Sequence, residues 1–180
     1  MSLAQANCFH IPLADQSVHC VVTSPPYWGL RKYAGEQGQE PLGLEPTPER
    51  YVERTVQWAR EVRRVLRDDG VFWLNYGDCY SSQGKQGGSS GGKNYTSAAG
   101  GAPRRARGEN SGSLMMIPHR IALALQQDGW IVRQDLIWSK PNPMPESVSG
   151  WQFQNGGELS RGSWRHTRSH EYVFMLVKGM

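Results

Sequence analysis

The chain has 180 residues, enough for one domain with a real hydrophobic core. A formal net charge of +4 and a sequence pI near 9.1 are mildly basic, compatible with a polyanionic partner and diagnostic of none. Mean hydropathy is −0.60 and no apolar run approaches the length needed to cross a bilayer, so a membrane span is excluded.

The start, Met1-Ser2-Leu3-Ala4-Gln5, has neither a basic nor an apolar signal region, and a reducing, cytoplasmic setting is expected. Cys8, Cys20 and Cys79 show no Cys-x-x-Cys spacing and read as buried free thiols. The histidines form no metal spacing either, so no metal is expected.

In chain order, residues 6–22 read as a lead-in, a turn at Asp15-Gln16-Ser17 and a strand from Val18 to Val22, with an apolar end suited to burial. The loop Thr23-Ser24-Pro25-Pro26-Tyr27-Trp28 follows. Two prolines lack amide donors and fix φ, so the strand stops there and the loop is stiff. In open α/β sheets ligands bind at such carboxyl ends. Ser24 and the Ser24 and Pro25 carbonyls offer acceptors, and Tyr27 and Trp28 offer flat π surfaces. That set suits a planar heterocycle with an exocyclic amine.

Thr47 and Pro48 signal a helix start, and Val52, Val56, Ala59, Val62 and Leu66 recur at helical spacing up to a stop at Gly70. The arginines at 54, 60, 63, 64 and 67 are expected to form a solvated face. A second buried strand, 71–75, ends at Asn75, Gly77 and Asp78. Strand, helix and strand make a βαβ unit with neighbouring parallel strands, so Asn75 and Asp78 land on the same sheet edge as Ser24.

Residues 81–112 are rich in Gly, Ser and Ala and carry Lys85, Lys93, Arg104, Arg105 and Arg107. Such a segment cannot bury enough surface to fold alone and is expected to be a flexible insertion in one domain spanning 1–180. It reads either as a basic arm making phosphate contacts or as a tolerated loop. A helix at 118–128 and strands at 130–138 and 171–177 complete the pattern. The run Lys140-Pro141-Asn142-Pro143-Met144-Pro145 can be neither helix nor central strand. His170 and Glu171 are no metal pair, because adjacent strand residues point to opposite faces.

The hexapeptide at 23–28 resembles the target-base motif of the amino-methylating DNA methyltransferases, which methylate cytosine N4 or adenine N6 using S-adenosylmethionine. Glu45-Pro46-Thr47-Pro48-Glu49, Trp73-Leu74-Asn75-Tyr76-Gly77-Asp78, the Trp138 to Ser147 run and Arg168-Ser169-His170-Glu171-Tyr172-Val173-Phe174 resemble further blocks of that family, in its order. The resemblance implies an α/β fold: a partial class I methyltransferase, Rossmann-like sheet whose last strand runs antiparallel. It implies catalytic roles for Ser24, Pro25, Pro26 and Tyr27. As the family mechanism is usually described, the Ser24 hydroxyl and the Pro25 carbonyl accept the amine hydrogens while Tyr27 stacks on a flipped base. Asn7, Thr23 and Ser24 would border the cofactor, although Asn7 stands where the family usually has an acidic residue. Trp28, Arg31, Lys32, Lys93, Arg104, Arg105 and Arg107 are the expected contacts to double-stranded DNA. Ser at position 24 resembles the cytosine-N4 branch, with adenine N6 as the alternative.

The family's glycine-rich Asp-Pro-Phe-x-Gly-Ser-Gly loop, which approaches the methionine part of the cofactor, does not occur in this sequence. A second chain could supply it. A non-catalytic DNA-binding remnant is the rival reading.

Overall fold

Thr47 and Pro48 begin the longest helix, α1 (Pro48–Val65), where Thr47 Oγ1 accepts the Arg50 amide at 3.2 Å and satisfies one of the orphan donors of the first turn. The computed structural model describes residues 5–29, 41–81, 113–143 and 168–179, with the backbone alone for 151–153 and 159–161. Arg31 and Lys32, and the 82–112 part of the expected insertion with Lys93, Arg104, Arg105 and Arg107, lie outside the described residues.

The face that α1 buries carries Tyr51, Thr55, Trp58, Ala59, Val62 and Val65. Val52 and Val56, expected on the core stripe, only flank it, because the larger Tyr51 and Trp58 rings take the inward positions. The helix, expected near 48–67, ends at Val65, because Leu66 turns to an extended φ of −70° and ψ of 138° before the stop signal at Gly70 is reached. It leads without a loop into β2 (Leu66–Tyr76).

β1 (Val18–Thr23) pairs parallel with β2, placing Thr23 beside Leu74. β6 (His170–Val177) runs antiparallel to β2, and β3 (Ile131–Ser139) antiparallel to β6, giving the order β1-β2-β6-β3. The expected strands and the antiparallel last strand are therefore present. A short hairpin, β4 (Trp151–Phe153) with β5 (Leu159–Arg161), was not expected from the sequence.

Phe72 pairs with Leu176, Leu74 with Phe174 and Tyr76 with Tyr172, so these side chains share one face of the sheet. That face packs with Trp58 and Val62 of α1 and with Ile121 and Leu125 of α2 (Ile117–Gln127) in one core. The opposite face is open at β1, where Val22 is 74% exposed. The strand at 18–22 is thus covered on the Val21 side only, and Cys20, expected to be buried, is exposed on the open side. Cys8 and Cys79 are half-buried.

The expected solvated arginine face holds for Arg60 and Arg67, whose side chains are 64% and 44% exposed, but not for Arg54, and several of these guanidinium groups find fixed acceptors. Arg54 is buried against Glu45 at 3.1 Å. Arg64 donates to Asp15 at 2.6 Å and to the Ile11 and Leu13 carbonyls, tying down the lead-in. Arg60 grips Asp128 in a fork, and Arg63 donates to the Asp128 carbonyl at 2.9 Å.

The segment leaving β2 returns to its point of departure. Ser81 donates from its amide to the Ser113 carbonyl at 2.8 Å, Met115 to Cys79 at 2.8 Å, and Tyr80 bridges Leu114 antiparallel. Asp78 Oδ1 then accepts the Ile117 amide at 2.9 Å, capping α2 from the end of β2.

Candidate active site

Parallel pairing puts the carboxyl ends of β1 and β2 on one edge of the sheet, and antiparallel pairing brings the start of β6 and the end of β3 to that edge. Ser24, Asn75, Gly77, Lys140 and Glu171, scattered along the chain, meet there.

The Pro-Pro loop is held from beneath. Tyr51 donates its hydroxyl to the Pro26 carbonyl at 2.7 Å, and Trp28 donates its indole N–H to the Glu45 carbonyl at 2.9 Å. Glu45, fully buried, accepts the Gly43 amide at 2.9 Å and pairs with Arg54. Gly43 itself has φ +86°, and a Cβ there would stand 3.0 Å from the Tyr27 carbonyl, so the backbone passes close under the loop. Trp28, expected among the DNA contacts, is only 2% exposed, and its ring packs in the core and anchors the loop.

Above this base, Ser24 is exposed. Its hydroxyl donates to Asn75 Oδ1 at 3.1 Å or to the Tyr27 hydroxyl at 3.2 Å. Asn75 is buried, and its Nδ2 donates to the Tyr172 carbonyl at 3.3 Å, which fixes which end of the amide faces Ser24. Tyr27 donates to Glu171 Oε2 at 2.8 Å and also contacts Asn75 Oδ1. A serine hydroxyl has one proton and two lone pairs. With the proton directed at Asn75 or Tyr27, the lone pairs remain for an incoming donor. An exocyclic amine is such a donor.

The Tyr27 phenol is pushed up to about 12, first by burial, with the neighbouring Glu171 carboxylate raising it further and the Ser24 contact opposing. The phenol therefore stays neutral at ordinary pH. Tyr51 and Tyr76 below it are raised as well, chiefly by burial.

The expected site residues divide. Ser24, Pro25, Pro26 and Tyr27 lie together at the edge, with Thr23 at the end of β1 beside them. Asn7 closes on its own turn, where Oδ1 accepts the Phe9 amide at 3.0 Å and the backbone bridges His10. Asn75, Gly77, Lys140 and Glu171 carry no expected role, although all four fall in the blocks that the resemblance picks out. A polar strand end was the available signal. Among the described residues no group of three or more His, Cys, Asp or Glu side chains could hold a metal, and no helix is long and apolar enough to cross a membrane. A groove of about 560 Å³ lies between α1 and α2, lined by Glu49, Val56, Arg60, Arg120 and Asp128, away from Ser24.

Comparison with known proteins fits this arrangement. A family model described as DNA methylase matches residues 18–180. The type II methyltransferase M.SmaI of Serratia marcescens is 46% identical over 167 residues, covering 93% of this chain and 51% of that protein. M.XycI of Xanthomonas campestris pv. cyanopsidis is 45% identical over 166 residues, covering 92% and 50%. The chain thus spans about half the length of these relatives. Among solved structures, a Thermus thermophilus protein complexed with S-adenosyl-L-methionine matches with TM-score 0.55 at 20% identity, over 94% of this chain and 49% of that one. The cytosine-N4-specific PvuII DNA methyltransferase matches with TM-score 0.55 at 18% identity, over 93% and 44%. At such identities these two likenesses speak to the fold alone.

Proposed function

The chain belongs to the N6/N4 DNA methylase family, and from that premise we propose that it forms the target-amine part of a site-specific DNA methyltransferase acting on cytosine N4. The observation that carries this reading is the exposed Ser24 hydroxyl, whose proton is directed at Asn75 or Tyr27 so that its lone pairs face outward.

The target base leaves the duplex stack to reach the sheet edge. Its amine is a poor nucleophile, because the nitrogen lone pair delocalises into the ring. Ser24 Oγ accepts one amine hydrogen, and the Pro25 carbonyl the other. These acceptors favour a pyramidal nitrogen with its lone pair free, and they stabilise the positive charge that grows on it during transfer. Tyr27 offers its ring to the extruded base. Pro26 and Trp28 keep the acceptors still, through Tyr51 and Glu45, so that little reorganisation is needed at the moment of reaction. S-adenosylmethionine, when bound, supplies an electrophilic methyl group on a sulfonium. Thr23 and Ser24, at the open end of β1, are the described residues that would border it. The uncharged oxygens of the loop suit that cation, and the ammonium of Lys140 at the same edge is paired with Glu171. A further segment, in this protein or in a second chain, supplies the glycine loop of the family.

A neutral hydroxyl at position 24, in the string Thr23-Ser24-Pro25-Pro26-Tyr27, supports cytosine over adenine. The basic balance of the chain supports duplex DNA as the partner. The test is methyl transfer from labelled cofactor to DNA, followed by nucleoside digestion and mass spectrometry. N4-methylcytosine is the expected product. N6-methyladenine would overturn the choice of base, and no transfer in any assembly containing this chain would overturn the reading itself.

A further inference from the structure

The Tyr27 ring is held more firmly than a stacking surface on a loop requires. Its hydroxyl reaches the start of β6, donating to Glu171 Oε2 at 2.8 Å, while its ring lies against the end of β2. A Cβ built on Gly77 would fall 2.8 Å from Tyr27 Cε2 and 3.6 Å from Glu171 Cγ, so Gly77 and the Glu171 stem line a slot that the ring fills. Tyr76 adds a tilted ring contact at 6.0 Å. The second oxygen of Glu171, Oε1, takes the ammonium of Lys140 from the end of β3. The Lys140 amide is in turn fixed to the Ser169 carbonyl at 2.7 Å.

We propose that Glu171, braced by Lys140, is a positioning residue that fixes the ring of Tyr27 where the target base is received. This rests on the reading of the Ser24 loop as the target-amine site.

Chemistry favours a carboxylate here over any neutral group. An ionised Glu accepts at both oxygens, one for the phenol and one for the ammonium. A glutamine has one acceptor oxygen, so if that oxygen keeps Lys140 its NH2 faces the phenol, and the Tyr27 hydroxyl must turn from donor to acceptor at this contact. Fold stability is a weak explanation for the pair, since Lys140 keeps 40% of its side chain exposed and ion pairs of that kind contribute little. Geometry is the stronger one. The slot sets the ring plane, and the hydroxyl contact sets its rotation about the loop.

A double-mutant cycle between Tyr27→Phe and Glu171→Gln tests this, read in two ways. On this chain alone, 13C NMR of the tyrosine Cζ atoms, assigned through Tyr27→Phe, follows the Tyr27 phenol. Its signal and its titration are expected to move in Glu171→Gln while the other tyrosines stay. On the active methylating assembly, Glu171→Gln is expected to lower kcat/KM for DNA by up to about a hundredfold, the scale of an ångström-sized misplacement. The same change in a Tyr27→Phe background should add less than about twofold. Affinity for the cofactor alone should not change. Independent effects that multiply, or an unmoved Tyr27 signal, would overturn the proposal. Should Glu171→Gln fail to fold, Lys140→Gln loosens the same brace and is judged by the same two readouts. If no assembly methylates DNA, the functional reading falls, yet the Tyr27 signal still decides whether Glu171 holds the ring.

Discussion

Ser24 and Asn75, one on the loop after β1 and the other near the end of β2, meet through a hydrogen bond of 3.1 Å that directs the serine proton inward. Ser24→Ala removes an amine acceptor from the surface of the loop and touches little else. Methyl transfer should fall by about 2.7–4 kcal/mol of transition-state stabilisation, with the thermal midpoint nearly unchanged. Asn75→Ala is expected to differ, because it also removes a donor to the Tyr172 carbonyl. It should lose transfer and about 1–3 kcal/mol of stability together. Paired transfer assays and thermal melts check the contrast.

The raised Tyr27 phenol links stability to pH at the alkaline end. Its folded pKa of about 12 lies above the ordinary 10, so the fold favours the neutral form. That contribution is complete below pH 10 and is lost as pH rises toward 12, because the unfolded chain releases its proton first. The stability difference between the native chain and Tyr27→Phe should be flat below pH 10 and shrink above it. Denaturant unfolding at several pH values measures this. A difference that grows between pH 10 and 12 would contradict the buried phenol.

Gly77→Ala places a methyl group 2.8 Å from Tyr27 Cε2, and the ring has to give way. Overpacking of this kind costs about 1–3 kcal/mol. The displaced ring should weaken capture of the extruded base by a similar amount, on the scale of base–aromatic stacking at roughly 1–3 kcal/mol. DNA affinity measured by fluorescence anisotropy, beside a melt, separates the two effects.

Glu45→Ala breaks the buried pair under the loop. Arg54 and the Gly43 amide each lose a partner, and breaking a buried ion pair from one side costs about 3–5 kcal/mol. Urea unfolding should show the loss in full, with transfer failing as the loop comes free.

Cofactor binding by this chain alone is expected to be weak. Thr23 and Ser24 offer one border, while Val22 beside them is 74% exposed, and firm sites enclose roughly 70–90% of a ligand. Isothermal titration with S-adenosylmethionine gives the answer. Micromolar affinity without a further segment would overturn this expectation.

Local chemistry made much of this protein legible in advance. The Thr47-Pro48 cap, the apolar spacing of α1 and the β-branched runs of β1 and β2 are decided by neighbours a few residues away, so helices and strands could be placed to within a few positions. The two prolines after Ser24 likewise stop a strand wherever they occur, and the Ser-Pro-Pro-Tyr string carried the family with it. What sequence left undecided depends on which distant groups meet. Trp28 looked like an aromatic for a base, but the fold offered it the Glu45 carbonyl and a core to fill. Arg54 looked solvated, yet it is buried on Glu45, and Asp15 and Asp128 likewise come within reach of Arg64 and Arg60 only once α1 is packed. The lattice of Ser24, Asn75, Tyr27, Glu171 and Lys140 joins the ends of four strands. A hydrogen bond between residues 27 and 171 leaves no trace in the local pattern of either, because only the pairing order β1-β2-β6-β3 brings those strand ends to one edge.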